Sequence, residues 1–146
     1  MSFFNSMNIN ASGLTAQRLR MDIISQNIAN INTTRTENGQ PYRRKTVLFE
    51  ERSNSASFNS ILKNSMDQFN GSGVRVSRIA EDNSDFKMVY DPEHPDADEN
   101  GYVRMPNVNI IEEMVNMISA NRSYEANVTA MNTNKNMALK ALEIGR

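Results

Sequence analysis

The sequence predicts a mainly α-helical fold with a small β-containing middle segment, in which long N- and C-terminal helices pair as an antiparallel coiled coil. Two observations predict the helices and the middle segment: seven-residue repeats of apolar residues near both ends, and short strand-like runs between them. A third is the apolar fraction of 38%, too low to promise a large single core in 146 residues. We divide the chain into an N-terminal helix (1–32), a middle segment (33–107) and a C-terminal helix (108–146).

The N-terminal helix has an apolar stripe that is wider than a coiled-coil seam. Apolar residues recur at seven-residue spacing in two adjoining rows, which are Met7, Leu14, Met21 and Ile28, then Ile24 and Ile31. A further row widens the stripe beyond what one partner helix could cover, and it consists of Ile9, Ala16 and Ile23. Asn27 and Asn30 lie outside the line of isoleucines in these rows. The helix is expected to end at Thr33 and Thr34, where the middle segment begins.

The C-terminal helix repeats the pattern over about 50 Å. Its two rows are Ile110, Met117, Tyr124, Met131 and Ala138, then Met114, Asn121, Val128, Lys135 and Leu142. Asn109, followed three residues later by Glu112, has the spacing of a capping box and marks the helix start. Polar residues interrupt the rows of both helices, and we expect them to fix the register of subunit contacts: Asn10, Gln17, Asn121 and Lys135.

The middle segment has the signals of turns and short strands. The strand candidates are Lys45–Glu51, Gly73–Ile79 and Phe86–Asp91, separated by Asn-Gly and Pro-rich turns. Residues 57–69 fit either a short helix or a polar linker, and we favour a mobile segment.

Charge and composition exclude several classes of partner. The net charge is −1, from 16 basic and 17 acidic residues, so we expect no nucleic-acid partner. The basic cluster Arg43–Lys45 and the acidic run at residues 91–99 could meet within one chain or between chains. No apolar stretch reaches 18 residues and no signal peptide is recognisable, so we expect neither membrane insertion nor cleavage. The lack of cysteine leaves the compartment open.

The sequence offers few residues that could form a catalytic or metal-binding site. His94 is the only histidine and there is no cysteine, so we expect no enzyme, metal or cofactor. Residues 96–107 imitate a calcium loop through Asp96, Asp98 and Asn100, but Asn107 stands where a bidentate Glu is needed. A plain turn is favoured. A soluble calcium- or ligand-binding regulator built on a helical hairpin is the alternative function.

The heptad rows alone fit two arrangements: an antiparallel helical pair within one chain, or helices buried between subunits. The wide N-terminal stripe and the long C-terminal helix favour burial between subunits. The residues expected at such interfaces are Leu14, Met21, Ile24, Asn27, Ile28, Asn30, Ile31, Ile110, Met114, Met117, Tyr124, Val128, Met131 and Leu142.

Three segments resemble the bacterial flagellar rod and hook axial proteins. Residues 11–34, ASGLTAQRLRMDIISQNIANINTT, are similar to the N-terminal motif of that family. Residues 112–145, which begin EEMVNMISANRSYEANV, are similar to its paired C-terminal motif. Residues 73–109, from GVRVSRIAED to VRMPNVN, resemble the proximal-rod members of the family. The three segments stand in the right order and, with the residues between them, span nearly the whole chain.

The resemblance implies a structural subunit of the basal-body rod, a helical axial polymer that crosses the periplasm. Such a rod surrounds the export channel and transmits torque from the motor to the hook and filament. The implied partners are copies of itself, other proximal- and distal-rod proteins, the rod-base adaptor at the export gate, and the flagellar type III export apparatus. Phe3 and Met7 match a Phe-x-x-x-hydrophobic spacing attributed to export recognition in this family, although a hydrophobic anchor for the helix is an equal interpretation.

Overall fold

A computed structural model describes residues 3–52 and 72–144 of the chain. The elements, in chain order, are α1 (Phe3–Ala29), β1 (Lys45–Glu51), β2 (Val74–Glu81), β3 (Lys87–Tyr90), β4 (Tyr102–Met105) and α2 (Ile110–Ile144). The predicted fold class is confirmed in its main part, because long helices lie at both ends and the strands lie between them. The predicted helix or linker at residues 57–69 falls outside the described residues.

Helix α1 ends at Ala29, where the helical hydrogen bonds give way to tighter turns. The Ile31 amide donates to the Ile28 carbonyl at 3.3 Å, and the Thr33 amide donates to the Asn30 carbonyl at 3.1 Å. The residues that α1 buries lie on one side of it and are Ala16, Ile23, Ile24 and Asn27. The apolar row through Ile9, Ala16 and Ile23 therefore supplies two of the four buried positions.

Helix α2 begins with Asn109 as its N-cap. Its side-chain Oδ1 accepts a hydrogen bond from the Ile111 amide at 3.0 Å, and its carbonyl accepts one from the Glu113 amide at 3.0 Å. The predicted helix start is thus correct within two residues. With 35 residues, α2 is about 52 Å long.

The two helices pack side by side along their length. Ser6 Oγ lies 3.1 Å from Asn134 Nδ2, and Asn27 Nδ2 lies 2.9 Å from Glu113 Oε2. Between these points, Gly13 faces the side-chain amide of Asn127 so closely that a Cβ atom at Gly13 would lie 3.0 Å from it. In these contacts the residue numbers increase along α1, while those of their partners decrease along α2.

The strands form two separate two-stranded antiparallel sheets, β1 with β2 and β3 with β4. In the first sheet Lys45 pairs with Glu81 and Glu51 with Val74, with a register shift at Leu48/Phe49. In the second, Lys87 pairs with Met105. The sheet of β1 and β2 contacts α1.

Three of the four strands match the sequence prediction, and β1 has the predicted bounds. Strand β4 was expected to be part of a turn region, and that expectation is wrong. Its four residues stand between Gly101 and Pro106, so turn signals on both sides outweigh so short a run. Pairing with β3, rather than local propensity, makes it a strand.

The apolar core is small, as the composition predicts. Within the described ranges the buried apolar residues are Ala16, Ile23, Ile24, Tyr42, Val47, Val103 and Ala120. Neither described helix combines the length and the apolar character that a membrane span requires.

Candidate functional site

A buried hydrogen-bonded cluster, here called the polar junction, joins both helices to the first sheet. Asn27 is at its centre and is 1% exposed. Its Nδ2 donates to the Lys45 carbonyl at 2.8 Å and to Glu113 Oε2 at 2.9 Å. Its Oδ1 accepts from the Lys45 amide and from the Tyr42 hydroxyl, both at 2.9 Å. The four bonds use the full capacity of an asparagine amide, so Asn27 is held in one orientation.

Glu113 is a buried carboxylate at the start of α2, 1% exposed. Besides the bond from Asn27, its Oε1 accepts from Arg44 Nε at 2.8 Å and lies 2.7 Å from another nitrogen of the guanidinium. Burial by itself lowers the pKa of Arg44, but the hydrogen bond and the charge of Glu113, with a smaller contribution from Asp82, raise that pKa overall. Arg44 therefore remains a permanent cation that compensates the buried carboxylate.

The junction continues to the end of β2 and to the segment after β4. Arg44 lies 3.6 Å from the Asp82 carboxylate, and the Arg44 amide donates to Asn107 Oδ1 at 2.9 Å. Asn107 Nδ2 in turn donates to the Asp82 carbonyl at 3.0 Å and to Ser84 Oγ at 2.8 Å. Bonds from the backbone and side chain of Ser84, and the charge of Arg44, lower the pKa of Asp82. One cluster thus links α1, α2 and the segments that follow β2 and β4.

The predicted basic cluster therefore pairs within the chain. Arg44 bonds Glu113 and Asp82, which both lie outside the acidic run at residues 91–99. The Arg43 guanidinium stacks over the Phe86 ring at 4.3 Å.

A second feature is an apolar stripe that α2 turns away from α1. The stripe is spaced as i, i+3, i+4 and i+7, and its members Ile111, Met114, Val115 and Ile118 are 70%, 54%, 61% and 53% exposed. Such a contiguous exposed stripe is typical of an interaction surface. We call it the outer stripe.

The predicted interface residues divide between the inner and outer faces of the helices. Ile24 and Asn27 are buried within the chain. Partly buried positions are Leu14, Met21, Ile28, Asn30, Ile31, Met117, Tyr124, Val128 and Met131. Exposed positions are Ile110, Met114 and Leu142. The row from Met117 to Met131 lies on the α1 side, and the row that contains Met114 and Leu142 is largely exposed.

Other predicted positions have simple surroundings. Asn121 and Lys135 are exposed on α2, and Asn10 and Gln17 are partly buried on α1. Phe3 is 37% exposed and packs edge-to-face against the ring of Phe4, while Met7 is partly buried.

The candidate calcium loop is used as a turn. Asp98 Oδ1 accepts from the Asn100 and Tyr102 amides at 3.0 and 2.9 Å, and Asp96 Oδ2 accepts from the Thr34 hydroxyl at 2.8 Å. Across residues 3–52 and 72–144, no three acidic, histidine or cysteine side chains are grouped to hold a metal ion.

Sequence reasoning missed three residues of the outer stripe and the acid of the junction. The helical spacing around Met114 is completed by Ile111, Val115 and Ile118, so the sequence pattern could have identified the stripe. Glu113 had no such signal, because acidic residues are ordinary in the first turn of a helix and Glu112 stands beside it.

Comparison with known proteins identifies the family. The family described as "Flagella basal body rod protein" matches residues 7–35, on α1, and "Flagellar basal body rod FlgEFG protein C-terminal" matches residues 99–144, from the turn before β4 through α2. The chain is 55% identical to the flagellar basal-body rod protein FlgC of Bacillus subtilis (strain 168), with 100% of both chains covered. It is 50% identical to FlgC of Borreliella burgdorferi over 99% of this chain and 98% of that protein. It is 40% identical to FlgC of Salmonella typhimurium over 100% of both. The chain belongs to the FlgC family and is a structural subunit of the flagellar basal-body rod.

Proposed function

We propose that the protein is a proximal-rod subunit of a helical axial polymer that transmits torque from the motor to the hook and filament and surrounds the export channel. In this proposal α1 and α2 form an antiparallel coiled coil, and neighbouring subunits cover the apolar surface that the pair leaves exposed. A contact that repeats head to tail without closing generates an open helical polymer.

The spacing of the helix contacts supports the coiled-coil assignment. The contacting positions on α1 are Ser6, Gly13 and Asn27, which are seven and fourteen residues apart. Their counterparts on α2, Asn134, Asn127 and Glu113, have the same intervals. A seven-residue repeat on both partners is what a coiled-coil seam requires.

The outer stripe is the observation that carries the assembly proposal. Its four apolar side chains are each more than half exposed, at the end of α2 where the polar junction already fixes the helix in place. A rigid apolar surface loses little conformational entropy on binding, so it suits a permanent subunit contact. We assign it to contact with a neighbouring rod subunit, together with the exposed Ile110 and Leu142.

Membership in the family supports our proposal for the remaining partners and for the location. We propose that copies of this chain, other proximal- and distal-rod proteins and the rod-base adaptor share the assembly, within a rod that crosses the periplasm. Export would use the flagellar type III apparatus, with Phe3 and Met7 near the start of α1 as the candidate recognition residues.

A charge placed in the outer stripe tests the proposal. Val115→Asp puts a carboxylate where the neighbour would bury it, and burying an unpaired charge is costly. We expect about tenfold less protein in purified basal bodies, by immunoblot, and loss of swimming in soft agar. Helix content of the purified variant should be unchanged, because Val115 is exposed.

Thr129→Asp is the matched control. Thr129 is exposed on the same face of α2, two heptads beyond Val115, and lies outside the outer stripe. It should assemble and swim normally. A motile Val115→Asp strain with normal basal-body content would remove the outer stripe from the assembly surface.

A further inference from the structure

The inner faces of the two helices do not by themselves define one register. The row of α2 that faces α1 contains Glu113, Ala120, Asn127 and Asn134, at intervals of seven residues. Three of these four side chains are small or uncharged. Sliding α2 by one heptad would again place small residues opposite Gly13 and its neighbours, so the repeat tolerates more than one alignment.

The polar junction contains a feature that does not repeat. The Asn27 Nδ2 and the Arg44 guanidinium together form a donor socket that surrounds the Glu113 carboxylate. The socket belongs to the N-terminal part of the chain, because Asn27 is tied to both backbone groups of Lys45 and to the Tyr42 hydroxyl. Arg44 is likewise tied to Asp82 and, through its amide, to Asn107, so the partners of the socket other than Glu113 all lie outside α2.

Only one residue of the inner row of α2 fits this socket. Glu113 is the one carboxylate among the four positions of the row, and it is buried where the donors converge. Sliding α2 one way would put Ala120 opposite Asn27 and leave Arg44 without its carboxylate. Sliding it the other way would put position 106 there, before α2 begins at Ile110.

We propose that Glu113 and its donor socket form a register lock for the α1–α2 pair. The lock selects one alignment because the alternatives take the Glu113 carboxylate from the partly buried Arg44 guanidinium, which keeps only Asp82, and leave the buried Asn27 amide with one acceptor fewer. Through Arg44 and Asp82 it also couples that alignment to the end of β2. This inference concerns the single chain and does not depend on how subunits assemble.

The chain contains no cysteine, so pairs of introduced cysteines can report the register. Ser6→Cys with Asn134→Cys reports the observed alignment, in which these side chains touch. Ser6→Cys with Ala141→Cys reports a slide of one heptad. In the observed alignment the second pair is displaced by about 10 Å along the helix, which is too far for a disulfide.

The purified full-length chain is oxidised, and intrachain disulfides are quantified by non-reducing electrophoresis and mass spectrometry. With Glu113 present, the 6–134 disulfide should form and the 6–141 disulfide should stay at background. Glu113→Ala should lower the ratio of the first to the second by about tenfold or more. Glu125→Ala, which removes an exposed glutamate from the same helix, should leave the ratio unchanged.

Glu113→Leu controls for simple unfolding, because leucine fills the space of the glutamate without a charge. This variant should also allow the 6–141 disulfide to form. Retention of the 6–134 disulfide alone in both Glu113 variants would overturn the proposal. So would an equal effect of Glu125→Ala, or formation of both disulfides in the chain that keeps Glu113.

Discussion

Asn27 makes contacts that a neighbouring strand residue would otherwise make, because its amide bonds to both the N–H and the C=O of Lys45. Replacing it with alanine would leave Glu113, Tyr42 and the Lys45 backbone short of partners in a buried site. Each such loss costs about 1–3 kcal/mol. We expect Asn27→Ala to lower the free energy of unfolding by roughly 2–4 kcal/mol, measured by urea denaturation with circular dichroism at the helix band.

Asn30→Ala is the natural comparison. Asn30 is three residues away and only partly buried, and its side chain donates to the Gln26 carbonyl and accepts from the Thr33 hydroxyl. Its loss should cost less than about 1 kcal/mol, because water can reach the groups that it leaves. If the two substitutions lower the free energy of unfolding by similar amounts, Asn27 is not the central residue of the polar junction.

Tyr42 gives the polar junction a pH dependence. Burial, with the negative charges of Glu113 and Glu81, raises the pKa of Tyr42 above its ordinary value of 10.0. The folded chain therefore keeps the phenol protonated where the unfolded chain ionises it. The stability that this difference contributes is fully present below pH 10.0 and is lost as the pH rises through the folded pKa.

Tyr42→Phe should accordingly flatten the loss of stability above about pH 10. At neutral pH it should cost about 1 kcal/mol, because Asn27 Oδ1 loses one of its two donors. Urea midpoints measured between about pH 8 and 11 test both effects. If the urea midpoint of Tyr42→Phe falls with pH in parallel with that of the unaltered chain, Tyr42 is not the source of this pH dependence.

At the scale of elements, the approach of β2 to α1 depends on a glycine. Gly73 has φ +87°, and a Cβ atom there would overlap Ser12 Oγ, which accepts the Val74 amide at 3.1 Å. Gly73→Ala should destabilise the chain by about 2–4 kcal/mol, from backbone strain plus the displaced serine. Thermal unfolding followed by circular dichroism measures it.

Gly39→Ala separates the two causes. Gly39 also has a positive φ, +70°, but a Cβ atom there would meet nothing within 4 Å. It should show the strain alone, about 1–2 kcal/mol. If both alanines cost the same, the contact with Ser12 plays no part.

The elements were predictable where local chemistry decides them. Strand β1 combines β-branched and aromatic residues and follows turn signals, and the cap at Asn109 marks the start of α2. Which face of α2 turns inward was not predictable. Counting apolar residues favours the side of Met114, Val115 and Ile118, whereas small residues such as Gly13 and Ala120 allow the helices to approach on the other side.

The polar junction was beyond the sequence for a related reason. A pattern of apolar residues does not include Asn27, because Asn27 is polar. Its partners also lie 15 to 86 positions away along the chain. Only the fold brings Tyr42, Lys45 and Glu113 together. The candidate interface could be predicted as a set of helical rows, but not as inner and outer faces.

At the scale of the whole molecule, the polar junction and the outer stripe lie on opposite sides of the first turns of α2. The junction fixes that end of the helix to α1 and to the segments following β2 and β4, while the outer stripe remains free for another molecule. A load applied at the stripe would therefore pass into both helices and the middle segment through the hydrogen bonds of the polar junction, which suits the torque-transmitting role that we propose.

A structure of the assembled rod by electron cryomicroscopy, at a resolution that shows side chains, would test the roles of the outer stripe and the polar junction together. We expect the four side chains of the outer stripe to lie buried against a neighbouring subunit, while Asn27 keeps its bond to Glu113 within each chain. An assembled rod in which the outer stripe faces solvent or the channel, with subunits joined through other surfaces, would contradict this expectation.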